Sequence, residues 1–342
     1  MSLTDTASFS RKAFRWVLIF IGAVIVLFVL FLVGRALVNV IFPPGPLPPT
    51  VAFGKLPKLD FSEGIEASGS VNFNIETISG DLPTLDNKAK VFRISAGGST
   101  FGGAEKIKDL ASKLNFDPNP QGLSGNIYQF IDKKEVGRTL SVDVATFNFI
   151  VDSEFYNQTK LISQNAGDEK DAIGVAYDFF KPFNFDPLDF PQATAKTRLL
   201  RIDGPNLVEV PGISNANVIE VGFSRSEIDK YDVVTPLLDK PPAVAYVSKK
   251  KIVRALLNKQ DVMLNEFATY PLKGTQTAFE DLKAGKTAFN KQPVNNNFAI
   301  REVKLGYLEN GGMQEYLQPV YLFKSDDGLI AYVSAVSDSW LD

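Results

Sequence analysis

The sequence predicts an α+β fold, with helices packed on antiparallel sheets and a transmembrane helix at the N-terminus. Three observations predict it: one long apolar run, three stretches with helical spacing of apolar residues, and hairpin-like strand patterns between them. Helices interspersed with hairpins, and not one per strand, favour α+β over a doubly wound sheet. The predicted segments are a cytoplasmic tail (1–15), a transmembrane helix (16–42), a proline-rich spacer (43–68) and three α+β units (69–160, 161–270 and 271–342).

The apolar run from residue 16 to residue 34 contains no charged side chain. As a helix it extends about 28 Å, close to the hydrocarbon thickness of a bilayer. Arg11, Lys12 and Arg15 precede it, and excess Lys and Arg marks the cytoplasmic side. We therefore expect a single-pass cell-membrane protein that contacts the lipid bilayer through residues 16–42, with a cytoplasmic N-terminus and an extracytoplasmic C-terminal region.

A cleaved signal peptide is the alternative interpretation of this run. Signal peptides have a shorter apolar region, of about 7–15 residues, followed by small residues at the cleavage site. Here Gly34, Arg35 and Ala36 form a poor cleavage site, and mostly apolar residues resume up to Phe42. The pattern favours an uncleaved signal-anchor.

Composition excludes several function classes. The chain has 342 residues and contains neither cysteine nor histidine, which excludes disulfides, Cys- or His-based zinc sites and triads that depend on histidine. Residues 1–35 hold four of the 36 basic and one of the 39 acidic residues, so the remainder carries 32 basic against 38 acidic residues, a net charge of −6. That balance provides no basic stripe for nucleic acid.

The elements after the anchor follow from local pattern. Five prolines in residues 43–49 predict an extended spacer, and residues 50–68, with little periodicity, predict a tether. Apolar spacing predicts helices over residues 104–114, 168–180 and 275–284, the last capped by Gly285. Strands are predicted at 71–78, 90–95, 127–131, 140–144, 147–151, 197–202, 217–223, 243–247, 263–270, 300–308, 316–323 and 329–336.

Two details concern the final strands. The sequence Ser325-Asp326-Asp327-Gly328 predicts the turn of a hairpin. Pro319 lies inside the strand before it, and because proline cannot donate a ladder hydrogen bond, we expect that strand at an edge or a bulge.

A four-residue sequence, Asn-Phe-Asp-Pro, occurs at 115–118 and again at 184–187. Each copy closely follows a predicted helix and precedes a strand-like run. Asn and Asp before Pro are expected to stop the helix and turn the chain into the sheet. The pattern is compatible with an internal repeat and equally with coincidence.

The individual motifs give no catalytic, cofactor-binding or metal-binding residues. Gly97, Gly98, Gly102 and Gly103 lack the Lys and Ser or Thr of a phosphate loop. Ser248 and Lys251 match S-x-x-K without its companion motifs, Asp326 and Asp327 lack calcium-loop spacing, and a single glycosylation sequon begins at Asn157. We therefore expect a protein that is not an enzyme and uses no cofactor.

The C-terminal unit resembles a known family. It contains TAFEDLK (277–283), VKLGY (303–307), LQPVYLF (317–323), DG (327–328) and YVSA (332–335). In this it is similar to the last domain of the YycH/YycI-type proteins, and also to uncharacterised membrane-anchored proteins of small-genome bacteria. The first resemblance implies a bitopic membrane protein of a bacterial envelope whose extracytoplasmic α+β domains regulate a cell-wall histidine kinase without catalysis.

Three functions follow as hypotheses. The leading one is a non-catalytic extracytoplasmic protein that binds an envelope protein partner and regulates a sensor or a cell-wall complex. The alternatives are an ectoenzyme that uses carboxylates on cell-wall glycan or peptide, and a structural surface spacer.

The predicted topology is testable with C-terminal reporter fusions. We expect a fused reporter that is active only outside the cytoplasm to be active, because the basic residues before the apolar run retain the N-terminus inside. Activity of a reporter that functions only in the cytoplasm would contradict this orientation.

Overall fold

The computed structural model describes residues 24, 27–30, 48–97, 102–237 and 240–342. The chain divides into two units, Met1–Pro48 and Pro49–Asp342, each described by itself. In the first, residues 24 and 27–30 are helical; the rest of the predicted transmembrane helix, the predicted tail at 1–15 and residues 43–47 of the predicted spacer lie outside the described residues. Among the residues that are described, no helix has the length and apolar character needed to cross a bilayer.

The second unit contains four helices and eighteen strands within its described residues. The helices are α1 (Gly103–Lys113), α2 (Thr159–Ser163), α3 (Glu169–Phe180) and α4 (Thr275–Lys283). The strands are β1 (Asn72–Ile75), β2 (Lys88–Ile94), β3 (Gly122–Ser124), β4 (Ile127–Ile131), β5 (Thr139–Asp143), β6 (Phe149–Asp152), β7 (Lys196–Asp203), β8 (Asn206–Glu209), β9 (Val218–Phe223), β10 (Asp232–Val234), β11 (Ala243–Ser248), β12 (Lys251–Leu257), β13 (Val262–Pro271), β14 (Ala288–Phe289), β15 (Asn297–Ile300), β16 (Glu302–Leu308), β17 (Tyr316–Lys324) and β18 (Ile330–Ser334). The prediction of an α+β fold is confirmed.

The first sheet has nine strands in the order β3-β4-β5-β6-β12-β11-β9-β7-β8. Each neighbouring pair is antiparallel. Alternate side chains such as Leu140 and Val142 of β5 are buried, as the two-residue period of a strand requires. Their face of the sheet is covered by α1 and α3, whose residues Ile107 and Ala176 belong to the same core.

The two Asn-Phe-Asp-Pro segments adopt the same local conformation. Asn115 and Asn184 both have a left-handed backbone, with φ of 68° and 55°. The phenylalanine after each is buried in the core of the first sheet. The aspartates accept backbone N–H groups two residues on, Asp117 from Asn119 at 2.9 Å and Asp186 from Leu188 at 2.8 Å. Both segments therefore end a helix as expected, although a 3₁₀ turn (Lys181–Phe183) intervenes after α3.

The second sheet is built around β17. This strand pairs with β16 on one side and with β18 and the end of β2 on the other, while β10, β13 and β14 extend the sheet outward. Helix α4 covers one face through Ala278, Phe279 and Leu282, with the parallel pair β1 and β15 beside it. The turn between β17 and β18 lies at residues 325–328, so the predicted hairpin is confirmed.

The prediction that Pro319 marks an edge or a bulge is wrong, because β17 is an interior strand. Proline lacks the N–H that would point to one side of β17. On that side the neighbouring strand changes from β2 to β18. There β2 pairs as far as Leu317, and β18 pairs from Val320. The carbonyl of Pro319 accepts from the N–H of Ala335 at 3.1 Å. Proline is tolerated because the missing donor falls between two ladders.

Residues 50–68 do not form the predicted tether. Leu56 is fully buried and forms a parallel bridge with Leu341, next to the end of the chain. Leu59 and Phe61 pack on the face of the second sheet opposite α4, and Ile65 bridges to Phe289. The apolar side chains in this stretch are too irregularly spaced to indicate a strand or a helix, yet each covers part of the sheet.

Strand pairing groups the chain differently from the three predicted units. Strand β6, from the predicted unit 69–160, pairs with β12, from the predicted unit 161–270. The strands of the first sheet lie within residues 122–257, a stretch that also contains β10 of the second sheet. This stretch is inserted between β2 and β13, which pair with each other. The predicted boundary at residue 160 therefore falls within one sheet, because pairing across the sheet outweighs proximity along the chain.

The left-handed asparagines generate a stability prediction. We expect Asn115→Val to lower the free energy of unfolding by about 1–2 kcal/mol, because a branched side chain at positive φ crowds its own backbone. Asn115→Gly should change it little, since glycine adopts this conformation freely. Urea unfolding of both variants measures the difference, and equal losses would contradict this account.

Candidate protein-binding surface at the joint between the sheets

A buried arginine joins the two sheets. Arg225 lies two residues after β9 of the first sheet, and Glu309 directly follows β16 of the second. Both side chains are 2% exposed. The guanidinium Nε and Nη2 donate to the two carboxylate oxygens of Glu309 at 2.8 and 2.9 Å. This two-point geometry matches the planar fork of arginine to a carboxylate, so the pair fixes orientation as well as distance.

Arg225 donates two further hydrogen bonds, so each of its three guanidinium nitrogens has an acceptor. Nη1 donates to Asp189 at 3.0 Å and Nη2 to the carbonyl of Gln260 at 2.5 Å. The guanidinium lies 4.7 Å from the ring centre of Phe190. Burial alone would lower the pKa of Arg225. The nearby charges of Glu309 and Asp189 outweigh this effect and raise the pKa above its ordinary value. We call these five residues the Arg225 cluster.

Local structure explains how these groups meet. Asp189 and Phe190 come from the turn that starts at Asp186, where the second Asn-Phe-Asp-Pro segment ends, and the N–H of Ser226 donates to the carbonyl of Asp189 at 2.7 Å. The N–H of Gln260, between β12 and β13, donates to Glu309 at 2.7 Å. Each residue of the Arg225 cluster lies beyond the end of a strand or helix, where the backbone can turn toward the joint between the sheets.

An exposed apolar surface lies beside the Arg225 cluster. Leu188, from the turn that starts at Asp186, is 82% exposed, and Leu264 and Phe267 of β13 are 49% and 46% exposed. Leu188 and Leu264 line one groove of about 310 Å³ together with Phe92 and Arg225. We call Leu188, Leu264 and Phe267 the joint surface.

A β-bulge produces the outward position of Leu264. Met263 pairs with Arg93 of β2, but the next pair joins Phe267 to Phe92, so three residues of β13 have no partner in β2. A bulge of this kind redirects side chains at a sheet margin. Phe267 remains against Phe92, with ring centres 5.9 Å apart.

Charged groups border the joint surface. Lys90 lies with its Nζ 4.7 Å from the ring centre of Phe267 and pairs with Asp229 at 2.8 Å. Glu227 and Ser226 complete the rim of the groove. An apolar centre with a polar margin is the usual arrangement of a surface that binds another protein.

The residues singled out in the sequence take other positions. Ser248 and Lys251 flank a two-residue turn; the Ser248 hydroxyl accepts from Gln164 at 2.8 Å, and the Lys251 ammonium pairs with Glu135 at 2.6 Å. Gly102 caps α1 with φ of 80°, and residues 98–101 of its loop lie outside the described part. Asp327 closes the 325–328 turn by accepting the N–H of Leu329 at 3.1 Å.

Two carboxylates in a further groove pair with basic side chains. Asp132 and Glu135 line this groove of about 760 Å³. Asp132 pairs with Arg138 at 2.5 Å, and hydrogen bonds from Lys134, Glu135 and Arg138 hold its pKa below the ordinary value against the effect of burial. The Asp132 carboxylate therefore stabilises the loop of residues 132–138, to which all three of these donors belong.

Sequence reasoning missed the Arg225 cluster. Arg225 and Glu309 are 84 positions apart and match no local motif. Two sequence features pointed only weakly to the cluster. Arg225 is a lone arginine after the apolar strand β9, and Glu309-Asn310 follow the apolar strand β16. Comparison with protein-family models and with characterised proteins gave no match to this chain.

The buried pair generates a prediction about stability. Arg225→Met should lower the free energy of unfolding by about 3–5 kcal/mol, because Glu309 is then left charged, buried and without its partner. Replacing both residues, as Arg225→Met with Glu309→Leu, should cost less than the single change. Guanidinium unfolding measures both.

The control for this prediction is an exposed ion pair. Arg254 and Asp152 are 3.4 Å apart at the surface, so Arg254→Met should change stability little. A double variant that is less stable than the Arg225 single variant would contradict the account of the buried pair.

Proposed function

We propose that this chain is a single-pass membrane-anchored protein whose extracytoplasmic unit binds a protein partner in the envelope and has no catalytic role. The observation that carries the proposal is the joint surface. Leu188, Leu264 and Phe267 are apolar, exposed and adjacent to one groove, although Leu188 comes from the turn before β7 and the other two from β13. Contiguous apolar surface with a polar rim favours an interaction site.

The partner is a protein segment that presents apolar side chains. The groove is floored by Phe92, which is 3% exposed, and so offers an apolar pocket for an inserted side chain. Lys90, Asp229 and Glu227 at its rim can pair with polar groups around the inserted side chain. Such anchoring in a desolvated pocket is typical of the residues that dominate protein interfaces.

The membrane anchor and the regulatory role are supported by the sequence. The uncharged run at residues 16–34 and the basic residues before it favour an anchor with the remainder outside. The resemblance of residues 275–336 to the YycH/YycI-type proteins suggests that the partner belongs to a sensor or cell-wall complex.

Photocrosslinking in intact cells tests the proposed surface. A photoreactive phenylalanine analogue at Leu264 of the full chain should give one discrete protein adduct. The same analogue at Val136, which is 94% exposed and outside the joint surface, should not give that adduct. Adducts of equal yield at both positions would contradict the assignment.

A charge substitution gives an independent measure of affinity. Leu188→Asp should weaken capture of the crosslinked partner at least about tenfold, because a carboxylate would be desolvated against the apolar contact. Val136→Asp is the matched control and should bind as the unchanged chain does. Both variants should unfold at the same denaturant concentration, so a binding loss cannot come from misfolding.

A further inference from the structure

A second concave site lies on the second sheet, away from the joint surface. This cavity of about 420 Å³ is bounded by the N-terminal segment, α4 and β18. Leu59, Phe61, Val333 and Leu341 provide its apolar walls. Its volume falls in the range of small-molecule sites, about 300–1,000 Å³.

The floor of the cavity is a buried ion cluster. Lys273 and Asp281 are 7% and 10% exposed and lie 2.7 Å apart. Asp281 also accepts from Lys286 at 2.9 Å, and Lys273 also pairs with Asp338 at 2.6 Å. Burial alone would raise the pKa of Asp281. Hydrogen bonds from the two lysines outweigh this effect and hold the pKa below its ordinary value. Asp281 is therefore ionised at neutral pH, and its negative charge is paired with two ammonium groups, those of Lys273 and Lys286.

Hydrogen-bond donors are left over at this floor. An ammonium group has three N–H donors, and within the described residues Lys273 uses two, on Asp281 and Asp338. The Ser334 hydroxyl is buried and has no hydrogen-bond partner among the described residues. A buried polar group without a partner costs free energy, so the fold alone gives no reason to retain this hydroxyl.

The charges of the cavity favour an anion. Its lining includes Lys58, Lys273 and Lys286 against Asp281 and Asp338. Lys58, at the rim, forms no ion pair with any described residue, whereas both aspartates are already paired. A ligand that accepts hydrogen bonds and carries negative charge fits the donors that remain.

We propose that this cavity binds a small aliphatic carboxylate, with the carboxylate at Lys273 and Ser334 and the hydrocarbon along Leu59, Phe61 and Leu341. The carboxylate would accept from the unused Lys273 N–H and from the Ser334 hydroxyl. Lys58 and Lys286 would contribute charge attraction from the rim. The apolar walls supply binding free energy, and the donors supply orientation.

Tryptophan fluorescence provides the readout. The chain has two tryptophans, Trp16 and Trp340, and Trp340 lies between Asp338 and Leu341, which line the cavity. The full chain with Trp16→Phe, in liposomes, therefore reports from Trp340 alone. The probe is ω-bromohexanoate, whose bromine quenches fluorescence on contact. Its neutral analogue, ω-bromohexanol, tests the need for the carboxylate.

We expect saturable quenching by the carboxylate and at least about tenfold weaker binding of the alcohol, because hydrogen bonds to charged groups are the stronger ones. Ser334→Ala should weaken carboxylate binding by roughly three- to tenfold, the usual worth of one hydrogen bond. It should not lower the unfolding midpoint, since the hydroxyl has no hydrogen-bond partner in the part of the chain that the structure describes.

The matched control is Ser339→Ala, next to the reporter but outside the cavity lining. It should leave the dissociation constant unchanged. Equal quenching by the acid and the alcohol would overturn the proposal. So would a Ser334→Ala variant that binds the carboxylate as tightly as the Ser339→Ala control.

Discussion

The pairing of Arg225 with Glu309 is the constraint on which the arrangement of the two sheets depends. Taking two charges out of water costs several kcal/mol per ion, and only short, well-oriented hydrogen bonds offset that cost. Here both carboxylate oxygens accept, at 2.8 and 2.9 Å. Asp189 and the carbonyl of Gln260 accept further hydrogen bonds from the guanidinium, which lies against the ring of Phe190. A rotation or shift of one sheet would break several of these contacts together. The cluster therefore specifies one relative orientation of the sheets.

That constraint matters because of how the chain is connected. The first sheet is inserted between β2 and β13, so these two strands form the entry and exit of the insertion. Their pairing holds the ends of the insertion together, and β10, from within the insertion, pairs with β16 of the second sheet. Arg225 and Glu309 add a contact beyond these connections. Leu188 and Leu264, contributed by different sides of the joint, consequently keep a defined spacing across their groove.

Local pattern predicted the parts of this fold that have a strong period. The helices at 103–113, 169–180 and 275–283 and the final hairpin follow from residue spacing and turn chemistry. Pro319 misled the prediction because its missing donor falls where β17 changes partner. Strand β12 was missed because its turn contains only lysines, with Lys249 at a φ of 54° that glycine or asparagine usually adopts. The Arg225 cluster depends on contacts between distant positions, which no local window contains.

The bridge between Leu56 and Leu341 connects the first turn of the folded unit to its last residues. During synthesis, residues 49–68 emerge early, but their binding site on the second sheet does not exist until β17, β18 and residue 341 have followed. The strands of the nine-stranded sheet all lie within residues 122–257, and this sheet can form in the meantime. Closure of the second sheet thus joins segments that are far apart along the chain, and it has a high cost in loop entropy. Until it occurs, Leu56, Leu59 and Phe61 remain uncovered, and this early segment is where a folding chaperone would find its binding site.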